Sequence, residues 1–256
     1  MIRPRLTVFL MIHKNALYKS INFSKPVYIG DPMIAVRIYN DFLVDELILI
    51  DVDSTVNSLE PKYRLLEDIG SVARMPLCYG GGLKEISQIK KIISLGFEKV
   101  SLSSTAINKP EIVKEAVDEL GSQSIVGCMD IKQDKGSKNY YVYTHRGTKL
   151  VDLALFEVVD LFINSGVGEI LINNISRDGT YEGYDKKIIR KISEHSPVPV
   201  TAVGGAKSIT DIKQLFETCG VMGLAAGSLW SFKEPNKAVL LNYPSEQAKK
   251  RLFNQD

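Results

Sequence analysis

The feature that most constrains this chain is a stretch that occurs twice. From Pro76 the order runs through Gly81 and Gly82, then Lys84, Ile86, Ile89, Lys90 and Gly96, to Ser104. It reappears from Pro199 through Gly204 and Gly205, then Lys207, Ile209, Ile212, Lys213 and Gly220, to Ser228. The copies stand 123 positions apart, 124 after a one-residue insertion, so the repeating unit is about half of the 256-residue chain. Each copy reads as a buried strand, a glycine turn, an amphipathic helix, a second strand and a small hydroxyl residue. Two glycines just past a strand let backbone N–H groups approach an anion closely, because no Cβ stands between them. A serine opening the next helix adds a hydroxyl to the N–H groups there. Doubled in register, these turns point to two phosphate sites on one face of a pseudo-symmetric barrel.

Apolar runs of strand length alternate with helical patterns along the whole chain. The spacing predicts strands at Leu6–Ile12, Glu46–Asp51, Leu77–Tyr79, Lys99–Leu102, Ile125–Asp130, Glu169–Asn173, Val200–Val203 and Gly223–Ala226. Helices are predicted between them at Pro32–Phe42, Tyr63–Val72, Glu85–Leu95, Pro110–Leu120, Leu153–Ser165, Lys186–Glu194 and Ile209–Thr218, with a last one near Lys237–Leu241. Eight strand–helix units make a (β/α)₈ barrel of the α/β class. No Pro/Gly/Ser linker interrupts them, so residues 1–256 are expected to form one domain. The long connections Lys14–Asp31, Gln133–Val151 and Arg177–Tyr184 all follow strands, the face where such barrels keep their sites.

Composition removes several function classes. With 32 basic and 30 acidic residues the net charge is +2, which gives no electrostatic case for nucleic acid or a membrane surface. Cys78, Cys128 and Cys219 lack CxxC spacing and read as reduced core thiols of a cytoplasmic protein. His13, His145 and His195 lack ligand spacing, so no metal or other cofactor is expected. The apolar run ending at Ile12 is too short to span a bilayer and reads as a first strand.

The repeat reaches further. Glu46–Asp51 pairs with Glu169–Asn174 at the same offset, and Phe9–Ile12 can be matched to Cys128–Ile131, which sets Met11 opposite Asp130. A doubled half-barrel could supply one carboxylate from each half, one as base and one as acid. Here Asp130 has opposite it a thioether, which cannot act as a base. As a strand residue Met11 also fits ordinary core packing. At the other end of the strands Arg5, Glu46, Lys99 and Glu169 could form a ring of mixed charge, either a structural plug or a gate for a small polar molecule. Asp51 is expected to point into the top of the barrel. Lys19, in the first long loop, is a phosphate contact or a solvated lysine. Trp230 reads as core, and Lys249–Arg251 as a short charged tail.

Nearly the whole chain resembles the cyclase subunit (HisF) of imidazole glycerol phosphate synthase. The likeness is carried by Arg5, Lys19–Phe23, Gly30–Pro32, Asp45–Glu46, Gly80–Gly82, Lys99–Ser101, Gly121–Ser124, Asp130, Gly168–Ile170, Arg177–Thr180, Gly183–Asp185 and Gly204–Gly205. It implies a barrel that receives ammonia from a HisH-like glutaminase partner through a gate at Arg5, Glu46, Lys99 and Glu169. It also implies a ligand with two phosphates on the top face, held at Gly82, Ser103 and Ser104 in one half and at Gly205, Gly227 and Ser228 in the other. Asp130 matches the family's acid, whereas the family's general base, an aspartate, falls on Met11. Asp178 stands with Asp51 among the top-face carboxylates. Met11, Arg74–Gly80 and the ending Ala238–Pro244 are similar to the divergent WbuZ-like, glycosyl amidation-associated branch. That branch implies an ATP-dependent sugar amidotransferase as a further partner and an acetamidino sugar as the product. A cyclase with a replaced base and a scaffold that only activates a glutaminase stay open beside it.

Overall fold

Side chains alternate faces along a strand, and in this chain both faces of the strands are apolar. That pattern needs cover on each side, which a closed barrel inside a ring of helices provides. The computed structural model describes residues 3–56, 59–134, 136–233 and 238–253. Its barrel strands are β1 (Arg5–His13), β2 (Glu46–Asp51), β3 (Leu77–Gly80), β4 (Lys99–Leu102), β5 (Ile125–Gln133), β6 (Glu169–Asn174), β7 (Val200–Val203) and β8 (Gly223–Ala226). Each pairs in parallel with the next, and β8 pairs with β1 to close the circle. The fold is a (β/α)₈ barrel.

Two buried clusters divide the strands by parity. Leu6, Val8, Leu10 and Ile12 of β1 join the large cluster shared with the helices. Phe9 joins Ile48, Cys78, Val126, Cys128, Leu171, Val203 and Ala225 in a small cluster on the barrel axis. Counting by twos from these places Arg5, Thr7 and Met11 on the inner side of β1, Glu46 and Ile50 on that of β2, and Asp130 on that of β5.

The helices lie within a residue or two of their predicted bounds. Helix Pro32–Asp41 shows why: Asp31 accepts from the N–H groups of Met33 and Ile34, and proline fills the first turn. Its Tyr39 is fully buried and donates to Trp230 O at 3.2 Å, in the same core.

Three segments differ from expectation. The predicted last helix does not form over its described part; Ala238–Val239 pairs antiparallel with Phe232–Lys233, while Lys237 lies outside the described residues. A run that short ahead of Pro244 cannot repay helix nucleation. The first two long connections are hairpins, Ala16–Ile21 against Ser24–Gly30 and Tyr140–Thr144 against Lys149–Leu150. The expected charged tail is helix Glu246–Leu252, capped by Ser245. In it Lys249 is only 1% exposed, with its ammonium 2.6 Å from Asp45 Oδ1 and 3.1 Å from Leu43 O. Asp45 Oδ2 accepts from Leu6 N at 2.9 Å, and Tyr243 donates to Leu6 O at 2.7 Å. This latch ties the final helix to the starts of β1 and β2. No helix among the described residues is long and apolar enough to cross a membrane.

Candidate functional site

At the N-terminal mouth four inward side chains close a ring. Arg5 donates to Glu46 at 3.1 Å and to Glu169 at 2.6 Å, and Lys99 Nζ lies 2.7 Å from each of the same carboxylates. Every cation bridges both anions, so charge alternates around the ring. Thr7 donates to Glu46 at 3.1 Å and Thr201 donates to Glu169. Burial opposes the Glu46 charge, yet Arg5 and Lys99 outweigh it and hold the carboxyl below its ordinary range. Burial likewise opposes the Lys99 charge, and Glu169 with Glu46 raises its pKa above the usual value. Above the ring lies the apolar layer of Phe9, Ile48, Cys78, Val126, Leu171, Val203 and Ala225.

At the C-terminal mouth Met11, Asp130 and Asn173 line the floor of an open cavity that reaches down to Phe9 and Cys128. Asn173 donates to Asp130 Oδ1 at 3.0 Å, across the β5–β6 register. The Asp130 carboxyl meets the cavity but sits deep below its rim. Burial pushes it up to about 7, against the Asn173 hydrogen bond and with help from the Asp178 charge. A carboxyl there is poised to exchange a proton near neutrality. Met11 is 5% exposed, and its sulfur has a 3.7 Å contact with Ser20 Oγ.

The cavity wall is built by the first glycine turn. Gly81 and Gly82 have φ of +125° and +71°, and a Cβ at Gly81 would lie 2.3 Å from Asp51 O. Gly204 and Gly205 are equally constrained, with a Cβ at Gly205 falling 2.4 Å from Gly183 O. Both turns therefore need glycine for the backbone's own packing, whatever binds beside them. Ser104 and Ser228 each open a short helix, as the repeat predicts. Gly82, Ser103 and Ser104 border the large cavity, and Ser103 Oγ is buried with no hydrogen-bond partner among the described residues.

Gly205, Gly227 and Ser228 border a separate, narrower cleft, with Asp178 on its wall. Lys19 is not in an irregular loop but on strand Ala16–Ile21, 2% exposed, with Nζ 3.2 Å from Asp178 Oδ1. A Cβ added at Gly227 would lie 2.6 Å from that nitrogen. Ser20 Oγ donates to Asp178 Oδ2 at 2.8 Å, and Asn22 N donates to Asp178 O at 2.9 Å. The first hairpin is clamped over the second half of the barrel.

Asp51 corrects the sequence reading. It ends β2 at the top, but on the outer parity, where it accepts from Asp53 N, Ser54 N and Ser54 Oγ. It caps a turn and does not point into the axis. The sequence reading missed Lys84, His145, Arg146 and Asn173, all of which line the large cavity. Counting by twos from Glu169 finds Asn173; nothing in the sequence marks His145 or Arg146.

Residues 12–234 match the model of a family described as histidine biosynthesis protein. A protein of Leptospira borgpetersenii, provisionally named imidazole glycerol phosphate synthase subunit HisF, is 44% identical over 99% of this chain and 100% of its own length. A similarly named Vibrio vulnificus protein is 42% identical over 98% of this chain and 96% of its own. The imidazole glycerol phosphate synthase subunit HisF of Natranaerobius thermophilus is 31% identical over 96% and 98%. A closed barrel with this repeat, matched along almost its full length by such relatives, belongs to the histidine biosynthesis protein family as one of its HisF-like members.

Proposed function

We propose that this chain is the ammonia-channelling subunit of a cytoplasmic glutamine-dependent amidotransferase complex. It works with a HisH-like glutaminase and an ATP-dependent sugar amidotransferase, and the ammonia builds an acetamidino group on a nucleotide sugar for surface polysaccharide. The observation that carries this reading is Met11. It takes the inner position opposite Asp130, so the cavity floor offers one titratable acid and a thioether in place of an acid–base pair. The Arg5, Glu46, Lys99 and Glu169 ring is complete, which supports a retained ammonia route. Ammonia leaving a glutaminase meets that ring first, where Lys99 is the gate residue. The apolar layer above it admits neutral ammonia and disfavours ammonium, because an unpaired charge there would lose its hydration. Asp130, titrating near neutrality, stands where ammonia reaches the cavity.

A second reading, the cyclase of imidazole glycerol phosphate synthase, is supported by the names of the relatives and by Asp178. Its carboxylate lies one hydroxyl away from Met11, through Ser20. Lys19 Nζ, 3.2 Å from its Oδ1, and Ser20 Oγ, 2.8 Å from its Oδ2, already occupy that carboxylate.

The test is to give the purified protein the cyclase substrate with an ammonium salt. No imidazole product is expected, and Met11→Asp is expected to gain activity. Wild-type turnover of about 1 s⁻¹ or more would select the cyclase. With both partners present, Lys99→Ala is expected to leak ammonia from glutamine-coupled amidation; unchanged coupling would reject the gate.

A further inference from the structure

Each half of the barrel sends one hairpin up from its first strand, Ala16–Ile21 with Ser24–Gly30 after β1 and Tyr140–Thr144 with Lys149–Leu150 after β5. Their tips meet beside the large cavity. Arg146 donates to Phe23 O at 3.5 Å, and a Cβ added at Gly147 would lie 3.5 Å from the Phe23 ring. Phe23 and Arg146 both line that cavity. A small molecule leaving the barrel upward therefore emerges beside these two crests.

The crests are apolar and cationic on their exposed sides. Val27 and Tyr28 of the first are 44% and 55% exposed, and Tyr141 and Leu150 of the second are 39% and 53% exposed. Residues 14–31 and 133–150 contain two acids, Asp31 and Asp134, and both are engaged by their own turns. Asp31 accepts from Met33 N and Ile34 N, and Asp134 from Gly136 N and Ser137 N. Lys14, Lys25, Lys138, Arg146 and Lys149 lie on the same segments, and none is in an ion pair among the described residues. The crests thus present apolar side chains among cations that have no counter-charge of their own.

Two features argue against a second copy of this chain as the cover. Strand Ser24–Gly30 pairs with Ala16–Ile21 alone among the described residues, and Lys25 and Pro26 on it oppose the addition of another strand. A two-fold pairing of the crests would also set their cations against one another. The charge instead suits a surface rich in Asp and Glu, with apolar pockets for the four exposed side chains.

We propose that the two hairpin crests are the docking surface for a partner protein with an acidic, apolar-pocketed face. That partner is the amidotransferase, which seated there receives ammonia at the cavity mouth before it reaches solvent. The proposal rests on the reading of the chain as an ammonia channel and names the surface on which the receiver sits.

Binding of the purified amidotransferase to the full chain, followed by sedimentation velocity and by association and dissociation rates, tests this. The wild-type complex is expected to weaken about tenfold or more as salt rises from about 50 to about 500 mM. Lys25→Glu with Lys149→Glu should slow association about tenfold or more. Tyr28→Ser with Leu150→Ser should speed dissociation about tenfold. The glutaminase should bind every variant as it binds wild type, and matching thermal unfolding midpoints separate lost docking from lost fold. Absence of a complex with the amidotransferase, or a complex that neither double variant weakens, would overturn the proposal. So would a dimer of the chain alone, or capture of a duplex oligonucleotide, that the charge reversals abolish, because the face would then have another occupant. Imidazole formation in the cyclase assay would remove the channel reading without altering these rates, so either can fail without the other.

Discussion

The two mouths of the barrel hold similar residue types in opposite electrostatic states. At the N-terminal mouth each carboxylate of the ring has two cationic partners, and Thr7 and Thr201 add hydroxyl donors. At the C-terminal mouth Asp130 has one amide donor, while Asn173 Oδ1 and Ser103 Oγ have no partner among the described residues. Polar atoms satisfied within the protein hold a structure shut. Buried polar atoms left open cost free energy and are kept where something else completes them. The lower mouth is therefore complete in itself, whereas the upper mouth keeps polar atoms without a partner among the described residues.

Disturbing the lower mouth should cost most. Lys99→Met leaves Glu46 and Glu169 sharing Arg5 alone, and a loss of roughly 3 kcal/mol is expected in urea unfolding near neutral pH. The Glu46 carboxyl is held below its ordinary 4.5, so its contribution is present above that pH and is lost as pH falls through the folded value. The deficit of Lys99→Met should shrink over that same acid range; a deficit that does not change with pH would break the contrast.

Asp130 should behave in the opposite sense. Its native pKa of about 7 lies above the ordinary 3.8, so the folded state holds a proton that the unfolded chain has released between those values. Stability from this residue is full below about 3.8 and is lost as pH climbs through 7. Asp130→Asn should gain on the order of 2 kcal/mol in thermal or urea unfolding above neutrality and nothing in acid. Lys84→Ala, at the cavity rim, should move stability by less than about 0.5 kcal/mol. A large stability loss there would make Lys84 structural and erase the difference between the mouths.

The strands were legible as short, mostly apolar runs, several of them rich in β-branched residues and two of them set between a proline and a glycine pair, at Pro76–Gly82 and Pro199–Gly205. The ring was legible because Arg5, Glu46, Lys99 and Glu169 interrupt such runs at their starts, where a charge needs partners. Asp51 was misread, although Glu46 contradicts it. The two are five apart on one strand, so they cannot both face inward. Lys19 and Lys249 defeated the sequence for a shared reason. A buried lysine depends on a carboxylate brought from far along the chain, Asp178 for one and Asp45 for the other. The hairpin at Asn22–Phe23 turns with both residues at positive φ, near +49° and +59°, and lacks the glycine that usually announces such a turn.

The Lys249–Asp45 latch bears on how the molecule is made. Asp45 and Leu6 are synthesised early, but Tyr243 and Lys249, which complete the seam around them, leave the ribosome some two hundred residues later. Until then the Asp45 carboxylate at the barrel rim has Arg3, 3.0 Å away, as its cation and lacks Lys249. Final closure of the rim therefore waits for the last helix, and during translation the edge around Asp45 is one of the late-completed seams of the barrel.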